Sequence, residues 1–407
     1  MIPEARLGEF LAKKSRGILP SATPEVAFEL YSVPSFDHRV PDFVKGAEIG
    51  SNKQIVDPGT VLLCKINPRI NRAWTVGSFS SHPKIASTEW ITFPPSKKFE
   101  PRYLAYFLGK NSVRDFLAAN ASGVGGSLTR VKASTVEDIR FPLPPLTTQR
   151  EIVAEIEKQF SRLDEAVANL QRVKANLKRY RAGVLDEFFG GEPNARLGDA
   201  IESGPQNGLY LPKGAYGAGS PILRIDDYQT DWIRPAGELR RVTASEAQVA
   251  AWALREGDLV INRVNSISHL GKCASVPASL AGALFESNMM RLGLKANAVP
   301  RYVELYLGGA LGKRRLTQQA KWAVNQASIN QQDVMATSLP LPDTDTQRKI
   351  VAEVDRRLSI VREVEAEVDA NLKRAQKLRQ AVLQRAFSQR IADQTFADER
   401  LTKLQLV

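Results

Sequence analysis

The chain contains an internal repeat, and this repeat limits its possible folds more than any other feature. The pattern Pro-Leu-Pro, Thr-Gln-Arg, Ile-Val-Ala-Glu occurs within residues 142–155 and again within 340–353, at an offset of 198 residues. At the same offset, Arg181, Val184, Leu185 and Phe189 match Arg379, Val382, Leu383 and Phe387. A repeat of this length indicates two copies of one structural module of roughly 195 residues.

Each copy begins with an irregular portion that is rich in Gly, Pro and Ser. Short apolar runs such as Val61-Leu62-Leu63 and Leu259-Val260-Ile261 occur in it, and runs of this kind predict β-strands. The pattern is typical of a mixed α/β domain. At 407 residues the chain is also longer than one hydrophobic core usually supports, which favours two or more domains.

Each copy ends with a long segment that has a helical pattern. Its apolar residues recur in steps of three and four, and the step pattern predicts an amphipathic helix with a heptad seam. The two seams consist of Val153, Ile156, Phe160, Leu163, Val167, Leu170, Leu177 and Val184, and of Val351, Val354, Leu358, Val361, Val368, Leu372 and Val382. We expect Thr147 or Thr148 to cap the first helix and Gly190-Gly191 to end it.

The two predicted helices are expected to pack against each other. A helix from about 148 to 188 is ~60 Å long and cannot bury a one-sided apolar stripe alone. The other stripe of equal length belongs to its repeat partner. Because the chain leaves the first domain on one helix and returns from the second domain on the other, we expect an antiparallel coiled coil. The two domains are then predicted at opposite ends of a rod, related by a pseudo-twofold axis.

Charge favours a polyanionic partner. The net charge is +12, and residues 1–147 carry 19 basic and 13 acidic side chains, while 191–342 carry 16 and 13. Basic side chains release the counterions that are condensed on nucleic acids. The two cysteines and three isolated histidines form no metal-binding pattern. The charged N-terminus and the absence of a long apolar run predict a cytoplasmic protein that has no contact with a membrane.

With these motifs, nearly the whole chain resembles the specificity subunits of type I restriction-modification enzymes. The repeated openings at 142–155 and 340–353 are similar to the start of that family's two spacer helices. Weaker matches are Arg263-Val264-Asn265-Ser266 with Leu270-Gly271-Lys272, and the run from Asp57 to Arg69. The resemblance implies target-recognition domains at 1–146 and 191–344, spacer helices at 147–190 and 345–390, and a C-terminal tail at 391–407.

The resemblance also implies a division of labour. Each target-recognition domain reads one half of a bipartite site on double-stranded DNA, and the helix pair sets the unread gap and docks two modification subunits. Those subunits carry the adenine methyltransferase and its S-adenosylmethionine, and separate motor subunits hydrolyse ATP and cut. This chain is then expected to bind no cofactor and to catalyse no reaction. The two domains share little sequence, so we expect them to read different half-sites.

Candidate DNA-contacting residues are the basic and amide side chains that loops or strand ends could present to a groove. They are Asn52, Lys53, Arg69, Asn71, Arg72, Ser127 and Arg130 in the first copy, and Arg263, Asn265, Lys321, Asn325 and Gln326 in the second. Ser127 belongs to a glycine loop, 122–127, that corresponds to 323–328 in the second copy. Each candidate is interpreted either as a base contact or as a phosphate contact or solvated surface group.

Three other functions remain open at this point. The chain could serve a related two-part system in which one partner both methylates and cuts. It could be an enzyme with an unrecognised active site, although the sequence contains no P-loop, nucleophile elbow or adenine methyltransferase signature. It could also be a coiled-coil scaffold that binds no nucleic acid, which salt-dependent binding to a duplex would exclude.

Overall fold

The computed structural model describes residues 3–123, 129–229, 232–266, 269–323 and 326–388. The chain divides into two compact units. The first contains the described residues up to Leu170 and those from Ala370 onward, and the second contains Gln171–Asp369. Each unit therefore combines one irregular portion with parts of both long helical segments.

In the first unit, the described residues form ten strands and three short helices ahead of a long one. The strands are β1 (Glu4–Arg6), β2 (Gly17–Ile18), β3 (Ala27–Tyr31), β4 (Asp42–Lys45), β5 (Lys53–Ile55), β6 (Val61–Cys64), β7 (Ala73–Thr75), β8 (Lys84–Ser87), β9 (Trp90–Phe93) and β10 (Arg140–Pro142). The helices are α1 (Pro101–Leu108), α2 (Asn111–Ala119), α3 (Ala133–Glu137) and α4 (Leu146–Phe189). The sheets have the orders β1-β10, β2-β5-β8-β3-β4 and β7-β6-β9, with only β3 and β8 parallel among these described pairs.

The second unit repeats much of this arrangement, with longer segments between the shared elements. Its described strands are β11 (Ala195–Arg196), β12 (Ile201–Asn207), β13 (Tyr216–Leu223), β14 (Tyr228–Gln229), β15 (Trp232–Ile233), β16 (Arg240–Val242), β17 (Leu259–Asn262), β18 (Val264–Asn265), β19 (Cys273–Ser275), β20 (Leu284–Phe285), β21 (Met289–Leu294), β22 (Lys321–Ala323), β23 (Gln326–Ser328) and β24 (Ser338–Leu339). The helices are α5 (Glu246–Trp252), α6 (Pro300–Gly308), α7 (Ala310–Leu316), α8 (Gln331–Ala336) and α9 (Thr344–Ala386). Both units are mixed α/β, as predicted.

The repeat is visible in the core of each unit. Strands β6 and β17 are the two apolar runs noted in the sequence, and every residue of both is buried. A two-stranded antiparallel pair, β1 with β10 and β11 with β24, closes each irregular portion just before its long helix. The predicted strands thus form because their side chains are buried on both faces, which a continuous apolar run favours.

Helices α4 and α9 pack against each other within each unit, and they run antiparallel. In the first unit, Asp164 of α4 lies 2.6 Å from Arg379 of α9. In the second, Glu187 lies 2.9 Å from Arg357 and Lys174 lies 2.7 Å from Asp369. Partner numbers rise along α4 as they fall along α9, so the predicted antiparallel helix pair is confirmed. The predicted rod with a domain at each end stays a prediction, as do the proposed domain boundaries.

Burial along the two seams is uneven. Val153, Ile156 and Phe160 are buried near the start of α4, and Val184 is buried near its end. Between them, the α4 seam residues Leu163, Val167, Leu170 and Leu177 are only half-buried. Two helices alone cannot cover an apolar stripe completely, and the half-buried stretch leaves apolar surface in the middle of α4.

The far end of each long helix belongs to the core of a unit. Phe387, just after α9, lies 4.9 Å from Tyr103 and 5.5 Å from Phe107, measured between ring centroids, in the first unit. In the second unit, Phe189 at the end of α4 lies 5.1 Å from Tyr302. This explains why the repeat extends to the ends of both helices: these residues fill equivalent core positions.

The motif glutamines Gln149 and Gln347 connect each long helix to its unit. Both side chains are fully buried. The Gln149 amide accepts from Glu100 N at 2.8 Å and donates to Lys98 O at 3.0 Å and to Pro144 O at 2.7 Å. Gln347 makes the equivalent three bonds, from Val299 N and to the carbonyls of Asn297 and Pro342. The glutamine of the repeated Thr-Gln-Arg motif therefore satisfies buried backbone groups that no apolar side chain could satisfy.

The predicted caps of the first helix are partly wrong. Helix α4 begins at Leu146, so Thr147 and Thr148 lie inside its first turn instead of capping it. Gln149 N already donates to Pro145 O, because the Pro-rich break leads directly into helical geometry. The predicted end at Gly190-Gly191 is confirmed, since α4 stops at Phe189. Helix α9 has a polar cap instead: Thr346 N donates to Asp343 Oδ1 at 2.9 Å.

We predict that Asp343→Ala lowers the melting temperature at pH 7. The backbone and side-chain hydrogen bonds from Thr346 lower the pKa of Asp343 below its ordinary value of 3.8. A carboxyl with a lowered folded-state pKa stabilises the fold above its unfolded pKa and loses that contribution as the pH falls through the folded value. Melting curves followed by circular dichroism from pH 7 down to about pH 3 should show the two proteins converging in acid. A difference that is constant across this range would contradict the cap.

No described helix is both long enough and apolar enough to cross a membrane.

Candidate nucleic-acid interface

In the second unit, three of the predicted DNA-contacting residues lie on one small antiparallel sheet. Its strand order is β18-β23-β22. Asn265 pairs with Ala327, Lys321 pairs with Ser328, and Ala323 pairs with Gln326. We call the segments 264–265, 321–323 and 326–328 the hairpin arm of the second unit. The sheet brings Asn265, Lys321 and Gln326 together although 61 residues of sequence separate the first from the last.

The first unit contains the equivalent arm in shorter form. Arg130 forms isolated antiparallel bridges with Ile66 and with Ser122. In the second unit Ser328 pairs with Val264 and with Lys321, so the strand pairing aligns Arg130 with Ser328, Ile66 with Val264 and Ser122 with Lys321. The predicted correspondence of 122–127 with 323–328 is therefore wrong by two to three residues, because it followed sequence position and not strand register. Asn67, the repeat partner of Asn265, donates its backbone N–H to Thr129 O at 2.9 Å. The segments 66–67, 122 and 129–130 are therefore the hairpin arm of the first unit.

In the arm of the second unit, two of the three candidates are exposed and the third is half-buried. Lys321 and Gln326 are exposed, and within the described ranges the side chain of neither makes a hydrogen bond or ion pair. Asn265 is half-buried, and its Oδ1 accepts from Ser266 N at 2.8 Å. In the second unit, Lys321 and Gln326 are thus the candidates best placed to contact a ligand.

Arg263 is placed differently from the prediction. Its Nη1 donates to Ser287 O at 3.2 Å, and its Nε is buried with no hydrogen-bond partner in the part of the chain that the structure describes. The backbone of Arg263 also donates to Asn288 O. The arginine thus supports the loop beside the arm, and a base contact would need another rotamer.

In the first unit, Arg130 binds Glu89. Its Nη2 lies 3.1 Å from Glu89 Oε1 and its Nε lies 3.2 Å from Oε2, a two-pronged contact that fits the planar guanidinium. The hydrogen bonds to Glu89 raise the pKa of Arg130 above its ordinary value, at which a guanidinium is already charged at physiological pH. Because Arg130 remains about half exposed, it can present its outer edge to a ligand while Glu89 fixes its orientation.

Three candidates follow the arm of the first unit in the sequence. One of them is exposed, and the side chains of the other two point inward. Arg69 is exposed and, within the described residues, has no hydrogen bond or ion pair. Asn71 has a left-handed backbone conformation, φ 52°, and donates its amide to Lys110 O at 3.1 Å. The side chain of Arg72 is only 13% exposed and faces Asp37 at 3.8 Å. Asn71 and Arg72 therefore hold the loop, and Arg69 projects from it.

Asn52 and Lys53 lie on a neighbouring sheet. Asn52 is exposed ahead of β5, and the Lys53 ammonium donates to Ser51 O at 3.1 Å. Partial burial lowers the pKa of Lys53. Lys53 pairs with Ser87 of β8, two residues before the Glu89 that binds Arg130. The β8–β9 turn thus connects this pair to the arm. Ser127 and Asn325 lie outside the described residues.

Trp322 is not among the DNA-contacting residues that the sequence predicts. This tryptophan is 64% exposed on β22, between Lys321 and Ala323. A lone aromatic residue beside a lysine is a weak signal in a sequence, because most aromatic residues are buried. Only the strand register places it next to the predicted candidates. In the described parts of the chain, no group of three or more His, Cys, Asp or Glu side chains could hold a metal ion.

Comparison with known proteins gives one family model and several relatives. A protein-family model described as the type I restriction modification DNA specificity domain matches residues 27–179. The chain is 24% identical over 313 residues to the type I restriction enzyme EcoKI specificity subunit of Escherichia coli (strain K12). It is also 24% identical over 308 residues to the type I restriction enzyme StySPI specificity subunit of Salmonella potsdam. Residues 27–179 thus match the DNA specificity domain of type I restriction-modification systems, and the chain is similar to the specificity subunits of type I restriction enzymes.

The coverage of these matches and one structural superposition show how far the likeness to specificity subunits extends. Each of these matches covers 72% of this chain and 66% of the relative, so the matched region spans just under two thirds of the relatives' length. A solved chain described by its complex assembly and conformational transition in the type I R-M system has the same fold. It superposes with a TM-score of 0.74 at 21% identity, over 96% of this chain and 99% of that chain.

Proposed function

We propose that this specificity subunit is the non-catalytic DNA reader of a type I restriction-modification enzyme, in which each unit contacts one half of a bipartite site. The observation that carries the proposal is the hairpin arm, which occurs at equivalent positions in both units. A two-stranded ribbon of this kind fits the major groove of B-DNA. The excess positive charge of both irregular portions favours the approach of a duplex.

The two arms present different chemistry, which supports different half-sites. The second arm has an exposed Lys321 where the first has Ser122. The first arm has Arg130, held by Glu89, where the second has Ser328. Arginine and lysine favour guanine, whereas amides such as Gln326 favour adenine. Equivalent positions with different side chains are what two unrelated half-sites require.

We further propose that α4 and α9 set the unread gap and dock two modification subunits, which supply the methyltransferase and its S-adenosylmethionine. The half-buried seam residues Leu163, Val167, Leu170 and Leu177 support docking, because an apolar stripe that is left partly exposed is a common interaction surface. Motor subunits would then join the complex through the modification subunits. The assembly would work in the cytoplasm, where chromosomal DNA is present.

The salt dependence of duplex binding tests this function. Binding of the subunit with its modification subunits should weaken steeply as salt rises, because each phosphate contact releases condensed counterions. Lys321→Ala should reduce the slope of log Kd against log salt by about 0.9, the value for one lost phosphate contact. Fluorescence anisotropy with a labelled duplex would measure both quantities.

Lys97→Ala is the matched control. Lys97 is an exposed lysine that follows β9, beyond the strand end farthest from Glu89 and the arm. Its loss should leave the slope unchanged. Equal effects of the two substitutions, or binding that does not respond to salt, would contradict the proposed interface.

A further inference from the structure

We propose that Trp322 contacts DNA bases and helps to determine the half-site that the second unit reads. This inference rests on the proposed function and adds an apolar contact to the polar residues already described. Trp322 exposes 64% of its surface on β22, although an indole is among the largest apolar groups in proteins. Exposure of so much apolar surface to water is unfavourable. A ligand that covers the ring removes this surface from water.

The strand register fixes which residues share a face with the indole. Trp322 pairs with Ala327, which in turn pairs with Asn265. Directly paired residues project from the same side of an antiparallel sheet, so Trp322 and Asn265 belong to one face. Lys321 and Gln326 belong to the other face, with their partners Ser328 and Ala323. Ala327, at the centre of this face, is buried in the core of the unit. Trp322, at the edge of the same face, is exposed.

A ribbon with these two faces fits a groove of a duplex better than a protein surface. The face with Lys321 suits a phosphate wall, and the exposed indole of Trp322, at the edge of the other face, suits base edges, which offer apolar methyl groups. Arg314 of helix α7, which precedes β22 in the chain, is also exposed, and within the described ranges its side chain has no hydrogen bond or ion pair. The positive charge of Lys321, the residue before the indole, thus favours a polyanion as its occupant.

The repeat supports a role in specificity. Segment 321–323 of the second arm corresponds to residues 122–124 of the first, where the sequence is Ser-Gly-Val. The first unit therefore has no aromatic residue at the equivalent position. A contact that occurs in one arm alone can distinguish one half-site from the other, whereas a contact shared by both arms cannot.

Trp322→Ala tests the inference in the complex of the full chain with its modification subunits. The probes are a duplex that carries the site defined by sequencing of methylated adenines, and a duplex of the same length with both half-sites scrambled. We expect Trp322→Ala to weaken binding to the site about ten- to hundredfold, within the range for one mismatched base pair in a specific site. Binding to the scrambled duplex should change less than about twofold, and the salt slope should not change, because no phosphate contact is lost.

Trp232→Ala is the control variant. Trp232 is 47% exposed in the same unit, but it lies on the separate β14–β15 hairpin, with the Arg234 guanidinium 5.7 Å from its ring centroid. It should bind both duplexes as the unaltered chain does. Unchanged affinity of Trp322→Ala for the site, or an equal loss on both duplexes, would overturn the inference. If the unaltered complex itself does not prefer the site, the proposed function fails instead.

Discussion

Gln149→Leu is expected to destabilise the first unit by about 3–5 kcal/mol. Leucine fills a similar volume but leaves one backbone N–H and two backbone carbonyls without their partners, at Glu100, Lys98 and Pro144. Each unsatisfied buried group costs about 1–3 kcal/mol. For a unit of this size, the loss corresponds to a melting temperature lower by roughly 6–20 °C. Differential scanning calorimetry of the full chain would measure the change.

Gln159→Leu provides a matched control on the same helix. Gln159 makes a hydrogen bond to Glu155 Oε1, at 2.7 Å, within α4 and does not join the helix to the rest of its unit. The free energy of unfolding should change by less than about 0.5–1 kcal/mol. If both leucine variants melt at the same temperature, the repeated glutamine has no special role in attaching the helix.

Phe387→Ala should destabilise the same unit by about 3 kcal/mol, although Phe387 lies more than 280 residues from the ring that it contacts at Tyr103. The substitution removes a buried aromatic ring from the core, and such truncations typically cost about 3–5 kcal/mol. The lower end applies because the residue lies just after the end of α9. Hydrogen exchange should show faster exchange in α1 and unchanged protection in α6.

Phe189→Ala is the reciprocal variant. Phe189 packs on Tyr302 in the second unit, so its loss should deprotect α6 and leave α1 unchanged. Each variant is the control for the other. Faster exchange in both units for either variant would contradict the finding that the two helix ends belong to separate cores.

The sequence predicts the two modules and their long helices because repetition and a 3.6-residue pattern are both long-range signals. The heptad seams extend over enough turns to identify α4 and α9 and to pair them. The start of α4 was misplaced because Pro145 supplies no side-chain cap, and the threonines that resemble caps lie within the first turn. The role of Gln149 was also missed, since its partners at Glu100 and Lys98 lie about 50 residues away.

The candidate interface was predicted less completely. Residue type identified Lys321, Gln326 and Arg130, and the strand register then placed them on equivalent arms. Residue type alone could not show that Arg263 and Arg72 turn inward, because that depends on Ser287 and Asp37 elsewhere in the chain. Trp322 was overlooked because composition predicts burial for tryptophan, and only the fold shows its exposure.

Exchange of one irregular portion tests the central claim most directly. Residues 1–145 would be replaced by those of a relative with a different bipartite site, and methylated adenines would be mapped by single-molecule sequencing in cells that express the hybrid with its modification subunits. The account predicts that one half of the methylated sequence changes while the other half and the gap stay as they were. A hybrid whose methylated sequence changes in both halves, or in neither, would contradict it.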